Sequence, residues 1–339
     1  MGHRRDFWEA SIDGPVPLTR IYAAEYLEIR GALEIAPFEQ ALRQTIREAQ
    51  TLHTVAIELD GDTPVRRLDA GLAEAWQLAY VDLAGTRDAH RAALADMRAH
   101  LAQPIELARG PFFRQALYRI APDLYYWYHG YAHVIVDGYS GHLLTARVAE
   151  IYSALMVGTV PSPARFSTLA ELQHDEDAYR ASAQYADDRR YWLARFADQP
   201  RTVTLAGPAR LDTRDGLPDT RETRFAATEE HARIDDLVRR VLSSTTPQLF
   251  TALTATYLHL CTGAHDIVLS IAAMSRTSSR ERRTPGQIAN MLPLRMHVEP
   301  GDTIDDLCRQ AMREMTALRR HQRYRMGALH RELTSLDNG

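Results

Sequence analysis

One stretch of this 339-residue sequence gathers groups that can do chemistry: Tyr131-Ala132-His133-Val134-Ile135-Val136-Asp137-Gly138-Tyr139-Ser140. An imidazole titrates near neutrality without special help, so His133 suits general-base work. Asp137, four residues on, is placed to orient the turn through a buried ion pair with an arginine elsewhere. Gly138 offers the backbone freedom that a tight turn can require. Other histidines compete poorly. His129 precedes His133 by four residues, but on a strand that spacing builds no metal-binding face, and no metal is expected. His321 lies in the run Arg319-Arg320-His321-Gln322-Arg323-Tyr324-Arg325, which reads equally as a basic surface for an acidic partner or as a solvated helix end. Cys261 and Cys308 have no CxxC neighbour and read as buried small hydrophobes. No GxSxG, GxGxxG or phosphate-loop motif is present, and all 40 basic Lys+Arg residues are arginine. Schiff-base and Walker-type lysine chemistry are thereby excluded.

The elements that must position these groups alternate between helical and strand periods, so the class is mixed α/β (α+β). Phe38, Leu42, Ile46 and Ala49 form a helical stripe behind Pro37. Val55, Ile57 and Leu59 alternate as a strand, with Asp60-Gly61 as its hairpin turn. Residues 88–102 read as a helix. Phe112–Ile120 and Leu124–Tyr131 read as strands joined at Ala121-Pro122-Asp123. A helix with Leu144, Val148, Ile151 and Leu155 on one face follows Asp137-Gly138. The run Gly158–Pro163 (GTVPSP) is the linker expected between two domains, 1–160 and 161–339. Beyond it, a helix over 167–196 capped by Ser167 is expected, then strands near Val203–Leu205 and Thr223–Ala227 and a helix from Thr228. Thr246-Pro247 should cap and open a helix that stops at Gly263. Asp266–Ala273 reads as a buried strand, Met291–Val298 as another, and Thr303 as the cap of a long final helix.

Composition narrows the class further. Hydrophobic residues at 45% and charged residues at 25% exclude a disordered chain. A net charge of −4 shows no basic excess of the kind a nucleic-acid binder needs. No apolar stretch approaches the roughly 18 residues of a membrane span, and Met1–Glu9 is charged and short. A soluble, cytoplasmic protein is expected, with no nucleic-acid or membrane partner.

The segment from His133 to Ser140 resembles the HHxxxDGxS core motif of condensation domains from nonribosomal peptide synthetases. Further stretches agree in order. Residues 104–114 (PIELARGPFFR) look like the family's PxDLxxGPLxR segment. Residues 270–276 (SIAAMSR) and 290–295 (NMLPLR) are similar to its GxPxxxR and NxLPLR pair, and 320–325 (RHQRYR) to its RHQxY segment. Phe7-Trp8 and Ala24–Gly31 resemble the opening of its siderophore-type members.

The resemblance implies two chloramphenicol-acetyltransferase-like subdomains in a V arrangement, the first over 1–160 and the second over 161–339. It implies an acyltransferase forming an amide between a carrier-bound donor thioester and a carrier-bound amino acid acceptor. No cofactor would be bound intrinsically, because phosphopantetheine arms on donor and acceptor carrier proteins deliver the substrates, next to adenylation domains. His133 would be the catalytic histidine. Asp137 would be a structural acid paired with Arg276, Gly138 an N–H donor to the oxyanion, and Ser140 a support. There are three departures. Ala132 replaces the motif's first histidine, Ser270 and Ala272 replace the glycine and proline before Arg276, and the chain stops short of the family's usual end. From the last, an incomplete second subdomain is expected, with either a dimer of the truncated chain or poor solubility as a monomer. Two other readings stand beside this one: a catalytically degenerate docking module, and a stand-alone O-acyltransferase.

Overall fold

The computed structural model describes residues 21–61, 63–201, 203, 205, 228–241 and 243–337. Phe7-Trp8, the expected strand Thr223–Ala227 and the middle of the expected strand Val203–Leu205 lie outside those residues. The chain forms two compact units, residues 1–181 with 276–289 and residues 182–275 with 290–339.

The described part of the first unit runs β1 (Tyr22–Arg30), α1 (Ile35–Glu48), β2 (Thr54–Asp60), β3 (Thr63–Leu68), a short α2 (Leu72–Ala75), β4 (Ala79–Asp82), α3 (Ala89–Leu101), β5 (Phe113–Ala121), β6 (Leu124–Ala132), α4 (Gly138–Met156) and α5 (Leu169–Arg180). Its main sheet has the order β1-β6-β5-β4, antiparallel except for the parallel β4–β5 pair, and β2 and β3 form a separate hairpin. Alternation along β6 decides which layer each residue joins. Trp127 and Tyr125 meet Phe38 and Leu42 of α1 and Val148 and Ile151 of α4 on one face. Tyr126 and Tyr128 meet Ala93 and Met97 of α3 on the other. The stripe expected behind Pro37 is therefore the buried face of α1.

The linker Gly158–Pro163 is an exposed coil, yet it lies inside the first unit and the 160/161 boundary does not divide the two units. Arg147, buried on α4, explains this. Its guanidinium donates to Glu48 of α1 at 2.6 Å and to the Ser162 carbonyl at 2.8 Å, fastening the coil to the first unit. Further along, the Leu169 N–H donates to Gln50 Oε1 at 3.0 Å.

The second unit contains α6 (Ala183–Arg195), α7 (Thr228–Asp236), α8 (Thr246–Thr262), the antiparallel pair β7 (Asp266–Ala273) and β8 (Asn290–His297), α9 (Ile304–Arg320) and α10 (Met326–Asp337). Trp192, Ile267, Leu292, Leu294, Met296, Leu307, Leu318 and Tyr324 fill its core.

Several local expectations shift. The helix expected over 167–196 is two, because Ser182 caps a new one, and the first is capped by Thr168 rather than Ser167. Thr245, not Thr246, caps α8, and Gly263 ends it in the left-handed conformation. Thr303 does cap α9 through a reciprocal pairing with Asp306, but α10 follows it. β7 is half-buried rather than buried, with Ile267 and Ala273 inside and Ser270 and Ala272 outside. Cys308 is buried as expected, whereas Cys261 on the outer face of α8 is exposed. No helix among the described residues is long and apolar enough to cross a membrane.

Candidate functional site

β6 ends at Ala132 and α4 begins at Gly138, so His133–Val136 form the connection between them. The Ala132 N–H donates to the Phe112 carbonyl at 2.8 Å and the His133 N–H to the Ile21 carbonyl at 2.9 Å, which extends strand-like tethering past the strand's end. Val134, Ile135 and Val136 are buried in one apolar cluster with Phe112, Phe113, Tyr131 and Leu144. Three consecutive apolar side chains thus anchor the loop, while His133 stays partly exposed. Its imidazole makes no hydrogen bond to any described residue.

Asp137 is the N-cap of α4 and is 1% exposed. Its Oδ1 accepts from the Ser140 N–H at 2.8 Å and from the Arg276 guanidinium at 2.9 Å, and the Ser140 hydroxyl lies 2.7 Å away. Its Oδ2 accepts from Arg276 at 3.0 Å and from the Ile288 and Ala289 N–H groups, each at 3.0 Å. Burial alone would raise this carboxyl's pKa. The Arg276 charge, the Ser140 hydroxyl and the two backbone donors outweigh burial and hold it below the ordinary carboxylate value.

Arg276 is equally enclosed. It donates to the carbonyls of Glu281 and Thr284, the latter at 2.7 Å, and to the Gly286 carbonyl at 3.1 Å. The Tyr139 ring lies under its guanidinium carbon at 4.6 Å, a cation–π contact that closes the remaining face. Ser140 Oγ accepts from the Gly286 N–H at 2.8 Å. The loop supplying these groups is closed on itself, since the Glu281 carboxylate accepts from the N–H groups of Thr277 and Ser278 at 2.6 and 2.7 Å. Asp137, Ser140 and Arg276 therefore form one network inside the first unit.

Gly138 behaves differently from the sequence argument. It has no positive φ, and a Cβ at its position would meet nothing within 4 Å. The turn does not require a glycine, and the residue instead leaves space beside the loop. As the first helical residue of α4, its N–H has no partner within the helix, at the positive end of the helix dipole.

The other matched segments hold structure. Gly110 is needed for close approach. Its N–H donates to the Val55 carbonyl at 2.6 Å, and a Cβ would come within 2.9 Å of Thr54 O and Val55 Cα. In the second unit the Asn290 side chain donates to the carbonyls of Gln322 and Tyr324 at 3.1 and 2.7 Å. Ser275, at φ +53, is held by donating its N–H to Gln322 Oε1 and its hydroxyl to the Gln322 carbonyl. His321 does stand at a helix end, as the C-cap of α9 behind exposed Arg319 and Arg320, but its ring is not free in solvent: it pairs with Asp188 at 2.8 Å and stacks on Tyr191 at 4.0 Å. Sequence reasoning missed Tyr139, Gly286, Ile288 and Ala289. The Thr284-Pro285-Gly286 turn, lying between two matched segments, was the signal available for them.

The condensation domain family model matches residues 19–338. An isonitrile lipopeptide synthase from Streptomyces coeruleorubidus is 39% identical over 91% of this chain and 21% of its own length. A dimodular nonribosomal peptide synthase from Bacillus subtilis is 35% identical over 91% of this chain and 13% of its own. The chain thus spans about a fifth or less of the length of these relatives. A crystal structure of the starter condensation domain of rhizomide synthetase, a double mutant with C8-CoA and Leu-SNAC, superposes with a TM-score of 0.84 at 35% identity, covering 98% of this chain and 73% of that one. The mixed fold seen here is that of these domains, and the chain belongs to the condensation domain family, the amide-forming acyltransferases of nonribosomal peptide synthetases.

Proposed function

We propose that this chain joins an acyl group, held as a thioester on one carrier protein, to the amine of an amino acid held on a second. The amine nitrogen attacks the thioester carbonyl, the C–N bond forms as the C–S bond breaks, and the donor's thiol and an amide are released. Phosphopantetheine arms bring both substrates, and the reaction runs in the cytoplasm beside the adenylation domains that load them. The lipopeptide synthase and the starter domain crystallised with C8-CoA favour a fatty-acyl donor over a peptidyl one.

One observation carries the assignment of roles. Asp137 is fully engaged by Arg276, Ser140, Ile288 and Ala289, so it is not available as a base. His133 is partly exposed with an uncommitted ring, so it is the group left to accept the amine's hydrogen bond and proton. The Gly138 N–H, beside open space, is the donor for the oxyanion. Asp137, Arg276 and Ser140 hold the loop.

The test is aminolysis of an octanoyl thioester by an aminoacyl acceptor. His133→Ala should lower the rate roughly 10²-fold or more, as loss of an acid–base group does, while carrier binding persists. An unchanged rate in His133→Ala, with wild-type activity measurable, removes the catalytic reading in favour of a docking module. Preference for a peptidyl donor overturns the fatty-acyl assignment.

A further inference from the structure

The His133 loop is gripped on its backbone by two residues that none of the matched segments contains. The Val134 carbonyl accepts from Arg66 Nη2 at 2.7 Å, and the Ile135 carbonyl accepts from the Thr51 hydroxyl at 2.6 Å. The two donors are themselves joined, with Arg66 Nη1 3.3 Å from Thr51 Oγ1. Thr51 is 1% exposed and lies in the helical turn Gln50–His53 that leads into β2. Its own carbonyl accepts from the Thr54 hydroxyl at 2.8 Å, so it is fixed from both sides. Arg66 is carried by β3, where it pairs with Ile57 of β2. That hairpin is fastened in turn to residues 107–110 by the bonds Ile57 N–H to Leu107 O at 2.7 Å and Gly110 N–H to Val55 O at 2.6 Å.

These contacts fall on the two carbonyls that directly follow His133. A carbonyl's direction is set by the rotation of the peptide plane it belongs to, so holding both fixes the pitch of the turn. Side-chain burial of Val134, Ile135 and Val136 anchors the loop's depth but leaves that pitch free. Arg66 is half-buried, so water can satisfy much of what it leaves behind, and the loop's remaining backbone ties are His133 N–H to the Ile21 carbonyl and Ile135 N–H to the Ala132 carbonyl.

We infer that Arg66 and Thr51 are positioning residues that aim His133 by clamping the carbonyls of Val134 and Ile135. The inference rests on the role proposed for His133. Misplacement of a reacting group by about 1 Å costs on the order of 10²-fold in rate. Arg66→Ala and Thr51→Val should therefore lower kcat by roughly ten- to a hundredfold with KM within about twofold, because substrate contacts are untouched. Thr51→Ser keeps the hydroxyl and should stay within roughly threefold of wild type, and Arg66→Lys, which reaches one carbonyl but loses the link to Thr51, should fall between.

A second readout is independent of turnover. Amide hydrogen exchange across residues 133–137 should speed up in Arg66→Ala and Thr51→Val, return in Thr51→Ser, and leave the α4 interior unchanged. Unaltered exchange in that peptide, or a kcat that stays at the wild-type value in both variants, overturns the clamp. If His133→Ala retains full rate, the catalytic reading falls, and the exchange result alone then judges whether the two residues hold the loop.

Discussion

Replacing Arg276 by methionine tests the centre of the network, and its cost follows from the contacts. The guanidinium is 0% exposed and the Asp137 side chain 2%, so the pair is out of water on both sides. Breaking such a pair by removing one partner typically costs about 3–5 kcal/mol. Here Asp137 would keep the Ser140 and backbone donors, which pulls the figure to the lower end. The Thr284 carbonyl loses its guanidinium donor, whereas the Glu281 carbonyl keeps the Thr284 N–H, and a buried acceptor left bare costs roughly 1 kcal/mol or more. Arg276 Nε has no hydrogen-bond partner, so nothing is lost there. The sum is about 4 kcal/mol, a large part of the roughly 5–15 kcal/mol that holds a typical domain. Peptide-resolved native-state hydrogen exchange with urea is the fitting assay, because the pair lies within the first unit. Protection should fall in α4 and residues 276–289 while the α8–α9 peptides keep theirs. Asp137→Asn should be destabilising as well, since either orientation of the amide turns an NH2 toward N–H donors. The double variant should cost less than the sum of the two, as contacting residues do by roughly 1–3 kcal/mol. A loss below about 1 kcal/mol for Arg276→Met, or full additivity, would refute the claim that this pair fixes the loop.

Acid should weaken the first unit through His129. Burial lowers this imidazole's pKa from 6.5 to about 4, and Glu25, 3.4 Å away, is half-exposed and does not offset it. A depressed histidine gives its full contribution above pH 6.5 and loses it as pH falls toward 4, at most roughly 3 kcal/mol. Urea midpoints between pH 7 and 4 should show this slope, and His129→Phe should flatten it, leaving a remainder from half-buried His100, also lowered to about 4. An unchanged slope in His129→Phe would discount the mechanism. Two glycines should separate cleanly in thermal melts. Gly110→Ala forces a Cβ against the Thr54–Val55 backbone and should cost about 2 kcal/mol. Gly138→Ala meets open space and should be neutral, or stabilising by about 0.5 kcal/mol. Equal costs would contradict both assignments.

What was legible in the sequence is what local chemistry dictates. The strand–loop–helix around His133 could be read because aromatic alternation, an Asp N-cap and a helical apolar stripe are neighbours in the chain. The ends of α8 were legible to within a residue because Gly263 and the Thr-Pro step mark them, and those of β7 because its apolar run is bounded by polar residues. Arg147 shows where such reading stops. Nothing local announces that a helix arginine will capture Ser162 and Glu48, so a coil rich in turn formers reads as a domain boundary. His321 could be placed at a helix end, but its partners could not be read, since Asp188 and Tyr191 lie more than a hundred residues away. Arg66 and Thr51 carry no motif at all, because they act on backbone carbonyls and their role exists only once the hairpin and the loop are side by side.

Ala132, in place of the motif's first histidine, speaks for a docking module without catalysis on the ground that the loop loses a supporting side chain. The structure weakens the physical basis of that argument. Ala132 is 1% exposed, sits in the cluster with Phe112, Tyr131 and Val134, and pairs with Tyr22 of β1. Its N–H holds the Phe112 carbonyl, and its own carbonyl accepts from Ile135 N–H at 3.0 Å, closing the turn that carries His133. Both contacts are made by the backbone and are indifferent to the side chain. What keeps the loop in place comes from elsewhere: Asp137 with Arg276 on the helix side, and Arg66 with Thr51 on the carbonyls. A larger polar side chain at position 132 would have to enter an apolar cluster, at the cost of burying its own donors and acceptors. The small residue there fits an ordered loop, and the His133→Ala rate proposed above is what separates a catalyst from a docking module.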